Sequence, residues 1–339
     1  MPSAPPSTPS ATPAQHGATA GARWLGYGAC ALAGSLWGTG FYFGKVVLAE
    51  MSSAHMVLYR FLFACLGLLP FALRHAPRFT RREWRLLLIA SFLGIPLQFL
   101  VQFYGLSLTT VSHASLMVGT MPVILAAGAT LFSGERLDRV GWLALSGSSL
   151  GVALIVLGGS HGLGGSHGLG GSHGLGGRHT LNSGQHPSLE GDLLVVLALC
   201  VSLGWILMNK ELVRRHSPAV VTVYGVYSGT LMILAWVLLV HGPPPVRGIS
   251  SAVWIASAAS GILCTAVTTL LWNWGLRRVP ASRAAVFLNI EPMLGSFLGV
   301  KLLGDRLGPF AWIGGALIIS AAATLTTRPH QPEVSPILE

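Results

Sequence analysis

The chain has 339 residues, of which 52% are apolar and only 9% are charged. About a quarter of the residues of a soluble domain are charged, so this composition excludes an ordinary soluble protein and indicates a polytopic membrane protein. The net charge of +10 does not indicate nucleic-acid binding, because the Arg residues occur in short clusters between apolar runs. We therefore expect contact with the lipid bilayer and no nucleic-acid partner.

The chain opens with a tail, residues 1–22, of Pro, Ser, Ala and Thr that has no Lys or Arg, and we predict that it is disordered. Ten apolar segments follow, each long enough to cross a bilayer as a helix. They lie at about 24–44, 55–73, 86–105, 114–132, 140–158, 192–209, 219–240, 252–274, 282–302 and 309–327. The predicted fold class is an all-α membrane protein with ten transmembrane helices, and residues 328–339 form a short C-terminal tail.

The two halves of the chain repeat one another at a distance of 170 positions. This shift places Pro122 on Pro292, and Gly134-Glu135-Arg136-Leu137 on Gly304-Asp305-Arg306-Leu307. Duplication of one unit is the simplest explanation. Each copy holds five spans, so the second copy enters the membrane inverted relative to the first. The sequence therefore predicts two inverted five-helix repeats, 24–158 and 192–327.

Lys and Arg residues predict the orientation of the chain. If the N-terminus is cytoplasmic, fifteen of the 21 basic residues lie in cytoplasmic connections, five lie in outer connections, and Arg60 lies within a span. Both termini are then cytoplasmic. The linker at 159–191 is then periplasmic.

This linker repeats Ser-His-Gly-Leu-Gly-Gly three times from Ser160 to Gly177. We interpret it as a flexible tether that needs no metal or other cofactor. Binding of a divalent metal by its histidines remains an alternative.

Glu291 is the one carboxylate deep inside an apolar run, about 12 Å from the start of its span by helical rise. An ionised carboxylate at that depth is costly unless it faces water or a partner. Two roles stay open. Glu291 either binds a proton or a cationic substrate group, or it pairs with a basic side chain and fixes a helix. Pro292 beside it and Pro122 in the first repeat predict helix breaks or hinges near a binding site.

Arg60 lies in the second span, where three roles are open: snorkelling outward, pairing with Glu291, or holding a substrate carboxylate. Polar and aromatic side chains in other spans can line a shared cavity or make interhelical hydrogen bonds. The predicted pathway residues are Glu291, Arg60, Trp37, Tyr42, Gln98, Gln102 and Asn289. Lys45 and His113 lie near span ends, where we expect solvated side chains, and the four cysteines within apolar runs indicate packing.

Glycines spaced by four residues predict close contacts between helices. The pairs are Gly34 with Gly38, Gly40 with Gly44, Gly147 with Gly151, and Gly295 with Gly299.

Several of these motifs together resemble the EamA-type carriers of the drug/metabolite transporter superfamily. The resemblance covers about 24–327 and rests on Ser35-Leu36-Trp37-Gly38-Thr39-Gly40, Arg60, Pro122 with Gly134-Glu135, and Glu291-Pro292 with Gly304-Asp305. It implies ten helices, a central cavity shared by two inverted halves, and alternating access in the bacterial cytoplasmic membrane. It also implies small-metabolite substrates, often exported and in several members thought to be proton-coupled. Asp305 departs from the family pattern, which has Glu there.

The sequence thus predicts a secondary transporter, not an enzyme, that moves an amino acid or related metabolite, with efflux favoured over import. A membrane-embedded lipid-modifying enzyme is the alternative from another class, and a homodimer stays open.

Overall fold

The computed structural model describes residues 20–74, 76, 78–121, 123–124, 127–128, 139–160, 187–276, 278 and 285–327. All regular elements in this part of the chain are helical. Five helical stretches are long and apolar enough to cross a membrane. They are Ser53–Arg74, Arg81–Leu108, Leu189–Val213, Pro218–Val240 and Ser251–Gly275. The all-helical class is therefore confirmed, while ten spans in two inverted repeats remain a prediction.

Before the linker, the described residues form six α-helices. Their bounds are α1 Ala20–Leu48, α2 Ser53–Arg74, α3 Arg81–Phe92, α4 Gln98–Leu108, α5 Val111–Val118 and α6 Arg139–Ser160. A π-helical turn, Leu93–Leu97, joins α3 to α4 in one continuous span and contains Pro96. Thr80 starts α3 with a capping box that it shares with Glu83.

Six further α-helices are described after the linker. Their bounds are α7 Leu189–Arg215, α8 Pro218–Val240, α9 Ser251–Ala258, α10 Thr268–Leu276, α11 Ile290–Leu302 and α12 Pro309–Thr327. A π-helical segment, Ala259–Val267, joins α9 to α10, and a 3₁₀-helix, Ala285–Asn289, precedes α11. Adding 170 to the first π turn gives 263–267, which falls inside the second π segment.

The helices pack mainly across the two halves. α6 lies along α12, α4 along α7, and α5 along α11, while α2 contacts both α8 and the second π segment. α1 contacts α10 and α11 of the other half. The main core cluster includes the buried side chains of Phe61, Leu106 and Ile233.

Most of the glycine pairs predicted from the sequence lie at helix contacts. A Cβ at Gly151 would lie 2.6 Å from the Gly314 carbonyl oxygen, and one at Gly38 would lie 2.9 Å from the Glu291 carbonyl oxygen. Gly147 is the exception, since nothing lies within 4 Å of its added Cβ in the described structure. Because Gly151 and Gly38 have no side chain, α6 can approach α12 closely and α1 can approach α11 closely.

The helix ends gather at two opposite ends of the bundle. At one end, α1, α4, α5, α7 and α11 come together. The contacts there join Lys45 to Thr109, Thr109 to Asp192, and Ser112 to Asp305. We name this the Asp192 end. At the other end, which we name the Glu83 end, Glu83 at the start of α3 lies beside His216, which follows α7. The predicted orientation makes the Asp192 end the outer one.

Candidate functional site

Arg60 on α2 forms the centre of the candidate site. Its side chain is only 5% exposed. Nε donates a hydrogen bond to Thr265 Oγ1 at 3.1 Å, and Nη1 donates to Ser260 Oγ at 3.0 Å. The guanidinium carbon lies 5.1 Å and 5.4 Å from the ring centroids of Phe99 and Phe103. Arg60 is therefore a buried cation held by hydroxyls on one side and by aromatic faces on the other.

The second π segment explains how one helix presents both hydroxyls to Arg60. Residues five apart lie about 140° apart around an α-helix, whereas the wider π turn brings them close to one face. Thr265 Oγ1 also donates to the Ser260 carbonyl at 3.2 Å, which satisfies a backbone acceptor of the π segment. A Cβ at Gly261 would overlap the Arg60 carbonyl oxygen, so this glycine permits the close contact with α2.

Part of the guanidinium remains without a partner. Two of its five N–H groups are used by Thr265 and Ser260, and the other three donate to no described residue. A Cβ added at Gly40 on α1 would lie 3.6 Å from Nη1 and 3.8 Å from Nη2. Nη1 and Nη2 of Arg60 therefore lie beside Gly40 of α1.

Glu291 supplies the opposite charge at this site. It is the second residue of α11 and lies against Gly38 of α1. The charges of Glu291 and Arg60 attract each other, but no described basic side chain comes within 4.0 Å of the carboxylate. The two groups therefore lie near each other without closing into an ion pair. Pro292 lies in the first turn of α11, where proline is tolerated, directly after the chain changes from a 3₁₀-helix to an α-helix.

Four more of the predicted pathway residues lie in or beside helices that contact this centre. Trp37 on α1 contacts Trp272 on α10, with ring centroids 5.5 Å apart. Gln98 and Gln102 share α4 with the two phenylalanines, and Gln98 Oε1 is buried without a hydrogen-bond donor among the described residues. Asn289, at the end of the 3₁₀-helix, is 9% exposed.

Tyr42 is half-buried and contacts its neighbour Phe43, and no described contact joins it to Arg60. Pro122 and the first Gly-acid-Arg-Leu motif lie outside the described residues, as does the histidine linker from 161 to 186. Within the described part, no group of three His, Cys, Asp or Glu side chains is placed to bind a metal.

Sequence reasoning missed several members of the site. Ser260 and Thr265 escaped it because their spacing of five residues matches no α-helical face. Phe99 and Phe103 have the spacing of four that puts side chains on one face, so a search for aromatic pairs near polar span residues would have found them. Cys264, interpreted as a packing residue, contacts Thr39 Oγ1 at 3.3 Å and lies beside Gly40.

The expectation that His113 and Lys45 face water was wrong. His113 is 2% exposed, and its Nδ1 lies 3.0 Å from Asp192 Oδ2. Lys45 Nζ donates to the carbonyl oxygens of Leu106 and Thr109 at 2.7 Å and 2.6 Å. Both side chains lie near span ends, but neighbouring helices cover those ends and supply polar partners.

Comparisons with known proteins identify the family of the chain. The family model described as "EamA-like transporter family" matches residues 24–157 and again residues 189–327. An uncharacterized transporter of Archaeoglobus fulgidus is 24% identical over 87% of this chain and 95% of its own. A probable terminal-alkyne amino-acid exporter of Streptantibioticus cattleyicolor is 25% identical over 63% of this chain and 64% of its own.

A solved crystal structure has the same fold over 90% of this chain and 96% of its own length, with a TM-score of 0.57 and 18% sequence identity. The two family-model matches cover most of the chain, one in each half. The chain therefore belongs to the EamA-like transporter family.

Proposed function

We propose that this membrane transporter is a secondary carrier that exports a small zwitterionic metabolite, an amino acid or a close relative, by alternating access. The observation that carries the proposal is the unused guanidinium edge of Arg60. A buried cation is costly unless an anion is near, and no described carboxylate lies within ion-pair distance of it. A substrate carboxylate would fill that place.

Glu291 completes the recognition of a zwitterion. In this proposal its carboxylate, which lies near Arg60, accepts the substrate ammonium group, or a proton after the substrate has left. The apolar part of the substrate would lie against aromatic side chains, namely Phe99, Phe103, Trp37 and Trp272. Two groups of opposite charge in an aromatic cavity suit an amino acid better than a phosphorylated compound, which needs several cations.

Ten spans in two inverted repeats belong to the same proposal. The 170-residue repeat, the matched π turns and the packing of α6 on α12 support it. So do the two matches of one family model. We further propose a bacterial cytoplasmic membrane with both termini inside, because of the distribution of Lys and Arg. Export is favoured over import because one relative is named as a probable amino-acid exporter.

Counterflow in proteoliposomes tests the substrate class. Vesicles that contain the purified protein are loaded with unlabelled amino acids. Labelled amino acids are then added outside one at a time, and so are the matching labelled amines, which lack the carboxylate. Arg60→Lys keeps the charge but loses the planar fork, and we expect about a tenfold loss of amino-acid exchange. Arg74→Lys, at the exposed end of the same helix, is the matched control and should exchange normally. Equal exchange by Arg60→Lys and the wild type would remove Arg60 from the site.

Glu291→Gln tests the second half of the site. We expect this variant to lose movement driven by a pH gradient while still exchanging substrate, because the amide cannot release a proton. Unaltered proton dependence would take Glu291 out of the coupling role. Chemical conversion of the labelled solute, in place of its movement, would favour the membrane-embedded enzyme.

A further inference from the structure

A second pair of ionisable side chains is buried far from Arg60, at the Asp192 end. His113 on α5 belongs to the first half and Asp192 on α7 belongs to the second, and their side chains are 2% and 1% exposed. Asp192 Oδ2 lies 3.0 Å from His113 Nδ1, and its Oδ1 accepts a hydrogen bond from Thr109 Oγ1 at 2.5 Å. Separation of α5 from α7 would break this contact and expose both groups to water.

Other charged groups face the pair from the surrounding helices. Lys45 on α1 binds the Thr109 carbonyl and is attracted to Asp305, which follows α11. Asp305 Oδ2 accepts a hydrogen bond from the Ser112 backbone N–H at 2.8 Å, so it caps α5 next to His113. Glu190 on α7 and Lys301 on α11 are exposed, and α4 and α12 carry no Asp, Glu, Lys, Arg or His. The near charges are thus one lysine and two aspartates.

Polar contacts at this end cross from one half to the other. Asp192 holds two residues of the first half, and Asp305 of the second half caps a first-half helix. Glu50 Oε2, after α1, accepts a hydrogen bond from the Ser250 backbone N–H at the start of α9. In a carrier whose halves move against each other, these contacts hold one end closed. Among the groups in this network, histidine is the one that ordinarily gains or loses a proton near neutral pH.

We propose that His113 and Asp192 form a proton-exchanging gate that closes the Asp192 end. The proposal rests on the proposed transport function and adds a proton site separate from Glu291. A protonated His113 is attracted to the Asp192 carboxylate and stabilises closure. When the end opens, water reaches the ring, the imidazolium passes its proton to water, and the neutral ring no longer attracts Asp192 as a cation. Acid on that side of the membrane therefore favours the closed end, and neutral or alkaline pH favours opening.

Thiol labelling measures opening without any substrate. Ser115 on α5 lies beyond His113, is fully buried, and packs against Gly295 of α11. Ser115→Cys is introduced into a chain whose four native cysteines are replaced by alanine. A membrane-impermeant thiol reagent is applied from the Asp192 side at pH 5.5 and at pH 7.5. This Ser115→Cys chain is the parent, and its labelling rate is divided by the rate of the same chain carrying His113→Asn. The quotient cancels the pH dependence of the thiol itself.

His113→Asn retains a side-chain N–H donor for Asp192 but does not titrate. We expect the ratio of the parent's labelling rate to the variant's to fall about threefold to tenfold from pH 7.5 to pH 5.5. A charged hydrogen bond is stronger than a neutral one, so acid keeps the parent closed and its thiol protected. His216→Asn, at the Glu83 end, is the matched control and should give a ratio that does not change with pH. A constant ratio for His113→Asn would overturn the gate.

Asp192→Asn covers the case in which His113→Asn fails to fold. Its amide oxygen still accepts the hydrogen bonds while the charge is gone, so its labelling should lose the same pH dependence; a retained dependence would also overturn the proposal. The result stays separate from the proposed function. If the protein exchanged no amino acid but still showed the pH-dependent labelling, the proposed substrate class would be refuted and the gate would be supported.

Discussion

The two ends of the bundle use the same residue types and bind the halves together to different degrees. At the Asp192 end, a histidine of the first half meets a carboxylate of the second, and both are almost fully buried. At the Glu83 end the roles are exchanged, with Glu83 in the first half and His216 in the second. The two groups lie 3.2 Å apart, and their side chains are 12% and 19% exposed. Burial, rather than the pairing itself, separates the two ends.

Comparison of Thr80 and Ser250, which are 170 positions apart, shows how the difference arises. Each begins a helix with its side-chain oxygen accepting a backbone N–H. The backbone N–H of Thr80 donates to Glu83 in its own helix, whereas that of Ser250 donates to Glu50 of the other half. Glu83 thus divides its carboxylate between its own helix and a partly exposed contact with His216 of the other half. A carboxylate used across the halves holds them together, so the Glu83 end should open more readily.

Removal of Asp192 should have the largest effect. Asp192→Ala leaves His113 and Thr109 buried without their acceptor, and we expect a loss of about 3–5 kcal/mol in the free energy of unfolding. Glu83→Ala removes a capping box and partly exposed contacts, so its loss should be clearly smaller. Thermal unfolding midpoints in detergent, measured for both variants and the parent, give the order. A loss at Glu83 equal to that at Asp192 would contradict the contrast between the ends.

Glycine substitution measures how tightly the backbones approach at each end. A Cβ at Gly191, next to Asp192, would lie 2.8 Å from the Gly105 carbonyl oxygen, whereas one at Gly225 on α8 would meet Ser91 Oγ at an ordinary 3.6 Å. We expect Gly191→Ala to cost about 2 kcal/mol because α7 must move away from α4. Gly225→Ala should be neutral or stabilising by up to about 1 kcal/mol, because alanine favours the helix. Equal midpoints for the two variants would mean that the Asp192 end is not the tighter one.

Sequence reasoning found the residues whose chemistry conflicts with an apolar span. Arg60 and Glu291 stand out because a charge inside the membrane needs a reason, and the structure places the two side chains close enough for their charges to attract each other. It missed Ser260 and Thr265, because only a π segment puts them on one face. It misjudged His113 and Lys45, because depth along a span says nothing about the neighbouring helices that cover it.

The response of the unfolding midpoints to salt should also distinguish the two ends, and it is the smallest effect that we expect. Arg215 at the Glu83 end is 58% exposed, with Nη2 2.7 Å from Glu211 and Nη1 3.8 Å from Glu83. Exposed pairs of this kind contribute at most about 1 kcal/mol, so Arg215→Met should lower the unfolding midpoint only slightly.

At about 1 M salt the Debye length is near 3 Å, so the difference between Arg215→Met and its parent should disappear. The loss in Asp192→Ala should persist, because ions do not reach a pair that is buried between helices. Unfolding midpoints of both variants and the parent, taken at about 0.1 M and 1 M salt, make the comparison. If the effect of Asp192→Ala faded with salt as well, solvent would have access to the Asp192 end, and that end could not be the closed one.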